Sequence, residues 1–157
     1  GGKSKPAEPA APAEPAVAEP AAPAEPAATV QAPATDDGGA LAQAELAEQY
    51  EVGKKVYQEK KCASCHEDSG AGNKKNPPVI GEKALPEQPP KGAKLRKVPF
   101  KTAADVLGFV KAKMPPKAQG SLTDEEAAAV TSWILSENKA NIEKKLDASN
   151  AASVNLR

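Results

Sequence analysis

Cys62, Cys65 and His66 form the motif Cys-x-x-Cys-His, and they are the two cysteines and the one histidine of the chain. Two thiols at this spacing can each add to one of two neighbouring vinyl groups on a porphyrin edge and form thioether bonds. The imidazole that follows the second thiol then lies beneath the ring, where it can bind the iron. The motif predicts one covalent haem c, with Cys62 and Cys65 as attachment sites and His66 as an axial ligand.

Two other uses of a Cys-x-x-Cys pair fit the sequence less well. A thioredoxin-like redox pair needs a βαβ context with runs of β-branched residues, and the sequence has no such runs. A closed structural zinc site needs four nitrogen or sulfur ligands, whereas cysteine and histidine together supply three in this chain. A covalent haem is therefore the favoured interpretation.

Met114 is the one methionine of the chain and the candidate for the second axial ligand. A second histidine ligand is impossible within one chain, and a thioether is the strong donor that remains. Two prolines follow Met114, and they remove backbone donors and stiffen the loop that would hold the sulfur. The alternatives are a methionine that only fills the core, or a water or lysine ligand, because three lysines are close in sequence: Lys111, Lys113 and Lys117.

Composition divides the chain into a linker, a folded domain and a tail. Residues 1–40 are almost entirely Pro, Ala, Gly and Glu, with a repeated Pro-Ala-Glu-Pro, and cannot bury enough apolar surface to fold. We predict a disordered, largely extended linker there, and an SH3-type ligand is less favoured because no arginine anchor is present. Residues 41–147 are the predicted domain and residues 148–157 a flexible tail. Because aromatic residues are few, haem must supply much of the core, and we expect the haem-free chain to be largely unfolded.

The domain carries three segments with helical periodicity and helical residue preferences. These segments are residues 40–61, 102–113 and 122–137. The last begins with Thr123 as N-cap and Glu126 to complete a capping box, and Ile142 and Leu146 could prolong it. Residues 67–101 are rich in glycine and proline and predict a loop without strands.

The order of helix, Cys-x-x-Cys-His, glycine- and proline-rich loop, short helix, Met-Pro and amphipathic helix resembles the class I, single-haem cytochromes c. The resemblance covers roughly residues 45–137. It implies an all-α cytochrome c fold, in which three to four helices wrap around one covalent haem. Here the disordered Pro-rich segment would precede that fold.

The resemblance also implies roles for single residues. Gly53 and Trp133 match the positions at which the first and last helices of the family cross closely, and Tyr57 matches the aromatic residue one turn later. Pro77-Pro78-Val79-Ile80-Gly81 resembles the family's Pro-x-Leu-x-Gly, with Val in place of Leu. The Pro77 carbonyl is then expected to accept a hydrogen bond from the His66 ring. Residues 82–99 match the family poorly and are expected to form a variable loop.

An iron with both axial positions filled can exchange single electrons, which indicates an electron carrier rather than an enzyme. The alternative is a haem-based sensor of small ligands or a peroxidase-like enzyme in which Met114 dissociates. Peroxidase chemistry needs a distal acid or base, and the chain has no second histidine and only two arginines, Arg96 and Arg157. A third interpretation is a subunit fixed in a larger complex, which the segment after residue 137 could help to dock.

Charge is strongly segregated although the chain is formally neutral. Residues 54–117 hold fourteen lysines and one arginine against six acidic residues, a net charge of +9, whereas residues 1–40 carry −4. Most of these lysines taken singly are solvated surface. As a set, they predict steering toward redox proteins with acidic docking faces. Nucleic acid is not a predicted partner, because no aromatic residues are interleaved with the basic ones.

The chain begins without Met and has no apolar run long enough to span a bilayer, so we expect a mature or trimmed chain. Covalent haem attachment predicts a periplasmic or other extracytoplasmic location. The initial Gly-Gly-Lys-Ser resembles the residues that come directly after the lipidated cysteine in bacterial lipoproteins. This suggests a membrane tether through an N-terminal anchor outside this chain, with a membrane electron-transfer complex as a candidate partner. The rival hypothesis is a spacer from another folded domain.

Overall fold

The computed structural model describes the backbone of residues 25–157 and the side chains of residues 39–157. Within these residues there is no strand, and one isolated antiparallel bridge joins Thr102 and Asn155. Four α-helices occur in this order: α1, Glu25–Glu59; α2, Ala63–His66; α3, Ala103–Lys113; and α4, Asp124–Glu137. Short 3-10 turns lie at Pro116–Ala118 and Ala151–Ser153. The predicted all-α fold is confirmed.

Helix α1 begins well before the predicted start at residue 40. Residues 1–24 of the predicted linker lie outside the described residues, and residues 25–40 form the first part of α1, which differs from the prediction of disorder. Pro26 is the second residue of this helix, where the missing N–H costs nothing because the first turn has no acceptor for it. None of the helices in the described part of the chain is long and apolar enough to cross a membrane.

Helices α1 and α4 cross at Gly53, which is buried. A Cβ atom at this position would collide with the carbonyl group of Ala129 and would lie 2.7 Å from Trp133 Cβ. One turn later the Tyr57 ring packs on the Trp133 ring, with 4.7 Å between their centroids. The close crossing that the resemblance implied for Gly53, Tyr57 and Trp133 is confirmed, because only hydrogen fits at the contact.

Local caps fix the starts of α3 and α4. Thr123 Oγ1 accepts a hydrogen bond from Glu126 N (3.1 Å) and Glu126 Oε1 accepts one from Thr123 N (3.0 Å), which confirms the predicted capping box. At α3, Asp105 Oδ2 accepts from the backbone N–H groups of Lys101 (2.9 Å) and Thr102 (3.0 Å). These carboxylates satisfy N–H groups that have no partner inside the helix.

Helix α4 ends at Glu137, where the predicted segment 122–137 ends, and the further extension that Ile142 and Leu146 could have provided does not form. Lys139 has a left-handed backbone (φ +62°), and the Ala140 N–H donates to Leu135 O at 2.9 Å. This pattern turns the chain away from the helix axis while it satisfies the last carbonyl groups.

The C-terminal segment, predicted to be flexible from residue 148, packs against the domain. Ala151 is fully buried, and Val154 O accepts a hydrogen bond from Ala103 N at 2.8 Å. The Arg157 guanidinium donates to two backbone carbonyl groups. The small polar residues of this segment favour disorder, but its backbone forms hydrogen bonds with residues that are far away in sequence, such as Lys101 and Ala103.

A single apolar core joins α1, α3, α4 and the C-terminal segment. Its larger buried members are Val56, Tyr57, Phe100, Val106, Leu107, Val110, Leu122, Val130, Trp133, Ile134, Leu135 and Leu146. Gln49 and Leu146 add a buried pair of reciprocal hydrogen bonds, Nε2 to O at 2.7 Å and N to Oε1 at 2.8 Å. The core thus joins the first helix to the C-terminal segment, and Cys62 and Ala63 pack against it.

Candidate haem-binding site

Cys62, Cys65 and His66 lie on one helical turn. Helix α1 ends at Glu59, and Lys61 has a left-handed backbone (φ +60°) that separates it from α2. Cys62 then adopts helical angles as the N-cap of α2. Its carbonyl oxygen accepts hydrogen bonds from Cys65 N (3.1 Å) and His66 N (2.9 Å). Both thiols are free and partly exposed. The turn therefore presents two thiols and an imidazole close together on one short segment, as attachment to one porphyrin edge requires.

The His66 ring is oriented by Pro77, whose carbonyl oxygen lies 2.7 Å from His66 Nδ1. A carbonyl oxygen can only accept, so Nδ1 carries the proton and donates it in this hydrogen bond. In the neutral ring this tautomer leaves the lone pair on Nε2, which is the atom that can bind a metal.

The loop that holds Pro77 folds back over the motif. Gly72 N donates to His66 O at 3.0 Å, and Gly70 O accepts from Val79 N (2.8 Å) and Ile80 N (3.0 Å). Gly72 has φ +71°, and a Cβ there would lie 2.6 Å from the Pro77 carbonyl carbon. A side chain at position 72 would therefore displace the carbonyl group that orients His66.

Two asparagines that the sequence analysis did not single out hold this loop. Asn73 Nδ2 donates to Cys65 O (3.1 Å), and Asn73 Oδ1 accepts from the backbone of the next residues of the loop. Asn138, directly after α4, donates from Nδ2 to Val79 O (2.7 Å) and accepts at Oδ1 from Gly81 N (2.9 Å). The preference of Asn for turns and for helix ends is the signal that could have indicated both.

Tyr57 ties α1 to the residue after the motif. Its hydroxyl donates to Glu67 O at 2.7 Å, and burial raises the pKa of the phenol above its ordinary value. The hydroxyl thus remains a neutral donor, and the Tyr57 ring belongs to the same packed cluster as Trp133 and Cys62. Burial also raises the pKa of the Cys62 thiol to about 11.

Met114 directly follows α3, and its backbone N–H donates to Val110 O at 3.1 Å. Its side chain is partly buried and packs against the same core that Cys62 and Ala63 contact. Of the lysines near it in sequence, Lys111 forms an ion pair with Asp124 Oδ1 at 2.6 Å. The structure thus brings the methionine and the cysteine motif to one core.

The residues present fit a covalent haem better than a bare metal ion. Across residues 39–157, no group of three or more His, Cys, Asp or Glu side chains is arranged to hold a metal ion. A c-type haem needs two free thiols for covalent attachment and two iron donors, and the donors available here are an imidazole whose Nδ1 is hydrogen-bonded and a partly buried thioether.

Comparison with known proteins gives one family match and one similar solved structure. The family model described as Cytochrome c matches residues 50–138, more than half of the chain. A search of curated proteins found no match. Among solved structures, the chain is similar to "Crystal Structure of the Sulfane Dehydrogenase SoxCD from Paracoccus pantotrophus", with 20% sequence identity and a TM-score of 0.49. That alignment covers 66% of this chain and 51% of the other, so this chain spans about half the length of its structural relative.

Proposed function

Since this chain belongs to the cytochrome c family, we propose that it carries single electrons between redox proteins through a haem bound by His66 and Met114. The family binds one covalent haem c, and a haem-based electron carrier is its general function. When bound, that group supplies one-electron cycling between Fe(III) and Fe(II). The observation that carries the proposal is the hydrogen bond from His66 Nδ1 to Pro77 O, which leaves Nε2 free to bind iron.

Each site residue has one task in this proposal. The Cys62 and Cys65 thiols would hold the haem through two thioether bonds, each S–H adding across one vinyl group. His66 would bind the iron through Nε2, and the Pro77 carbonyl fixes the orientation of the ring and raises its basicity. The Met114 sulfur would be the second iron ligand and, compared with a second imidazole, would favour the reduced iron.

A role as carrier rather than enzyme is supported by the absence of a free distal acid or base among the described residues. His66 is the one histidine of the chain. Arg96 is buried, donates to the backbone carbonyl groups of Glu87 and Val98, and lies 3.5 Å from the centroid of the Phe100 ring. Its guanidinium is thus engaged in holding the loop at residues 82–99, and the Arg157 guanidinium is likewise engaged by the Phe100 and Leu85 carbonyl groups, so neither arginine is free to act as a distal group.

Optical spectroscopy of the purified holoprotein tests the ligand set. With Met114 bound, the oxidised protein shows the weak far-red band of sulfur-to-iron charge transfer, and the reduced protein does not bind carbon monoxide. Met114→Leu keeps the volume of the side chain but removes the sulfur, so we expect it to lose the band and to bind carbon monoxide. Lys117→Ala is the matched control and keeps both properties of the wild-type protein.

A wild-type protein that lacks the far-red band and binds carbon monoxide quickly would contradict this proposal. The iron would then have an open position, and the sensor or peroxidase-like function would become the better explanation.

The partners are proposed to be redox proteins with acidic docking faces. Eleven of the fourteen lysines between residues 54 and 117 are exposed, and three of the fourteen form ion pairs within the described residues. Exposed, unneutralised lysines attract an acidic partner over a distance and orient it, whereas they add little to the strength of the complex.

An extracytoplasmic location and a membrane tether at the N-terminus complete the proposal. They are supported by the chemistry of covalent haem attachment and by the Pro-, Ala- and Glu-rich composition of residues 1–24, the part of the predicted linker that precedes α1, which suits a spacer. Fractionation of native membranes tests the tether. A native protein that is recovered entirely in the soluble periplasmic fraction would contradict it and leave the electron-carrier function unaffected.

A further inference from the structure

Asn138 joins the C-terminal end of α4 to the loop that contains Pro77. Its Nδ2 group donates to Val79 O at 2.7 Å and to Ile134 O at 2.9 Å, and its Oδ1 atom accepts from Gly81 N at 2.9 Å. Backbone carbonyl groups can only accept and the backbone N–H can only donate, so these partners fix the orientation of the amide. One side chain thereby satisfies groups on both sides of Ile80 and anchors them to a buried helix.

The Pro77 carbonyl lies two residues before the first of these contacts in sequence. Pro77 has no N–H group, so its own backbone can donate no hydrogen bond to hold it in place. On one side the loop is held by Gly70 O, which accepts from Val79 N and Ile80 N. On the other side it is held by the two contacts of Asn138. Hydrogen bonds with Gly70, near the cysteine motif, and with Asn138, at the end of α4, therefore hold the loop at residues that are close to Pro77 in sequence.

We propose that Asn138 is a positioning residue for the His66 imidazole. It holds residues 77–81 so that the Pro77 carbonyl stays directed at His66 Nδ1, and in this way it sets the orientation and basicity of the ring. This inference rests on the proposed function, because it treats His66 as an axial ligand of the iron. The chain of contacts runs from α4 through Asn138, the loop and Pro77 to His66.

The contact has a chemical consequence at the iron. A hydrogen bond from Nδ1–H to a carbonyl oxygen makes the imidazole a stronger donor, which stabilises Fe(III) relative to Fe(II). When Asn138 is removed, the loop gains freedom and this hydrogen bond is populated less. The imidazole then donates less strongly, so the reduction potential shifts upward.

Hydrogen exchange measured by NMR on the reduced holoprotein tests the inference. In Asn138→Ala we expect the Gly81 amide and the His66 Nδ1 proton both to exchange about tenfold faster, as the loss of one or two hydrogen bonds allows. The amide of Val130, inside α4, keeps its wild-type exchange rate, which distinguishes local loosening of the loop from global unfolding. The reduction potential, measured on the same sample, shifts upward.

Two further variants separate the contacts. Asn138→Asp keeps an acceptor for Gly81 N but places a carboxylate oxygen against the Val79 and Ile134 carbonyl groups, so we expect the His66 proton to exchange as fast as in Asn138→Ala. Asn141→Ala is the matched control, since this exposed asparagine makes no hydrogen bond to any described residue. It leaves exchange and potential unchanged.

Faster exchange at Gly81 with an unchanged His66 proton and an unchanged potential would overturn the inference. Asn138 would then hold the loop without acting on the ring. The spectra of the wild-type protein test the proposed function separately, because a protein in which His66 does not bind iron fails that test before any variant is compared.

Discussion

A single hydrogen bond decides the chemistry that His66 can offer. Because Pro77 O accepts from Nδ1, the neutral ring has its lone pair on Nε2. The residue types of the motif could be predicted from sequence alone, since two thiols and an imidazole at this spacing suit few other purposes. Asn73 and Asn138 could not, because their importance lies in backbone partners that only the folded loop brings near.

Asp105 is a residue whose ionisation supports the fold. Backbone hydrogen bonds from Thr102 and Lys101 hold the pKa of its carboxyl group below the ordinary value. Because the folded state has the lower pKa, this stabilisation is present above the ordinary Asp pKa of about 3.9 and is lost as the pH falls through the folded value. We expect Asp105→Asn to lower the free energy of unfolding by about 0.3–1 kcal/mol at neutral pH.

Urea titrations of the holoprotein at a series of pH values check this prediction. The difference between wild type and Asp105→Asn shrinks as the pH is lowered from neutrality through the acid range. Glu143→Gln, at an exposed carboxylate without a hydrogen bond to any described residue, serves as control and follows the wild-type curve. An Asp105→Asn difference that stays constant with pH would exclude the ionised carboxylate as its cause.

Among the helices, α3 and α4 could be predicted nearly to the residue, because periodicity and capping boxes are local patterns. The turn that follows α4 and the path of the C-terminal segment could not. They depend on contacts such as that between Gln49 and Leu146, which are 97 residues apart in the chain. A pattern within a few residues carries no information about such a partner.

The close crossing of α1 and α4 predicts that a larger residue at position 53 destabilises the protein. Gly53→Ala places a methyl group against the Ala129 backbone, which cannot move without shifting a helix. We expect a loss of about 2–3 kcal/mol in the free energy of unfolding, measured by chemical denaturation of the holoprotein.

Gly108 in α3 provides the matched control, because a Cβ there meets no atom within 4 Å. Gly108→Ala removes the same backbone freedom from the unfolded chain without a collision, and we expect a gain of about 0.5–1 kcal/mol. If both variants were equally stable, the close contact at Gly53 would not limit the approach of the helices.

For the whole molecule, the distribution of charge along the chain predicts more about encounters with redox partners than the net charge does. A formally neutral chain holds +9 between residues 54 and 117, the stretch that contains both proposed iron ligands. With the proposed ligands in this stretch, we propose that an electron exchanged at the haem edge passes through a positive field set by its lysines. Steering of this kind changes the rate of encounter and is weakened by salt.

Small redox reagents of opposite charge measure this field without a natural partner. We expect the rate of oxidation by anionic hexacyanoferrate(III) to fall as ionic strength rises, because salt screens an attraction. The rate of reaction with a cationic cobalt complex rises under the same conditions, because salt screens a repulsion. The same salt dependence for both reagents would show that the lysines create no net field at the haem edge.

The thin core predicts that folding depends on the haem. In a Cys62→Ser, Cys65→Ser variant that carries no haem, we expect circular dichroism to show little helix and no cooperative thermal transition. The holoprotein measured in the same buffer is the reference and melts in a single step. A haem-free variant that retained a cooperative transition would show that the protein core is sufficient by itself.

The burial of Cys62 has a consequence for the order of events during biosynthesis. The thiolate is the nucleophilic form of cysteine, and a pKa of about 11 in the folded domain leaves very little of it at neutral pH. In an open chain the same thiol has an ordinary pKa and is accessible to an attachment enzyme. The thioether bonds are therefore expected to form before the domain folds. A mutation that let the haem-free chain fold would reduce the yield of mature protein even if it made the finished molecule more stable.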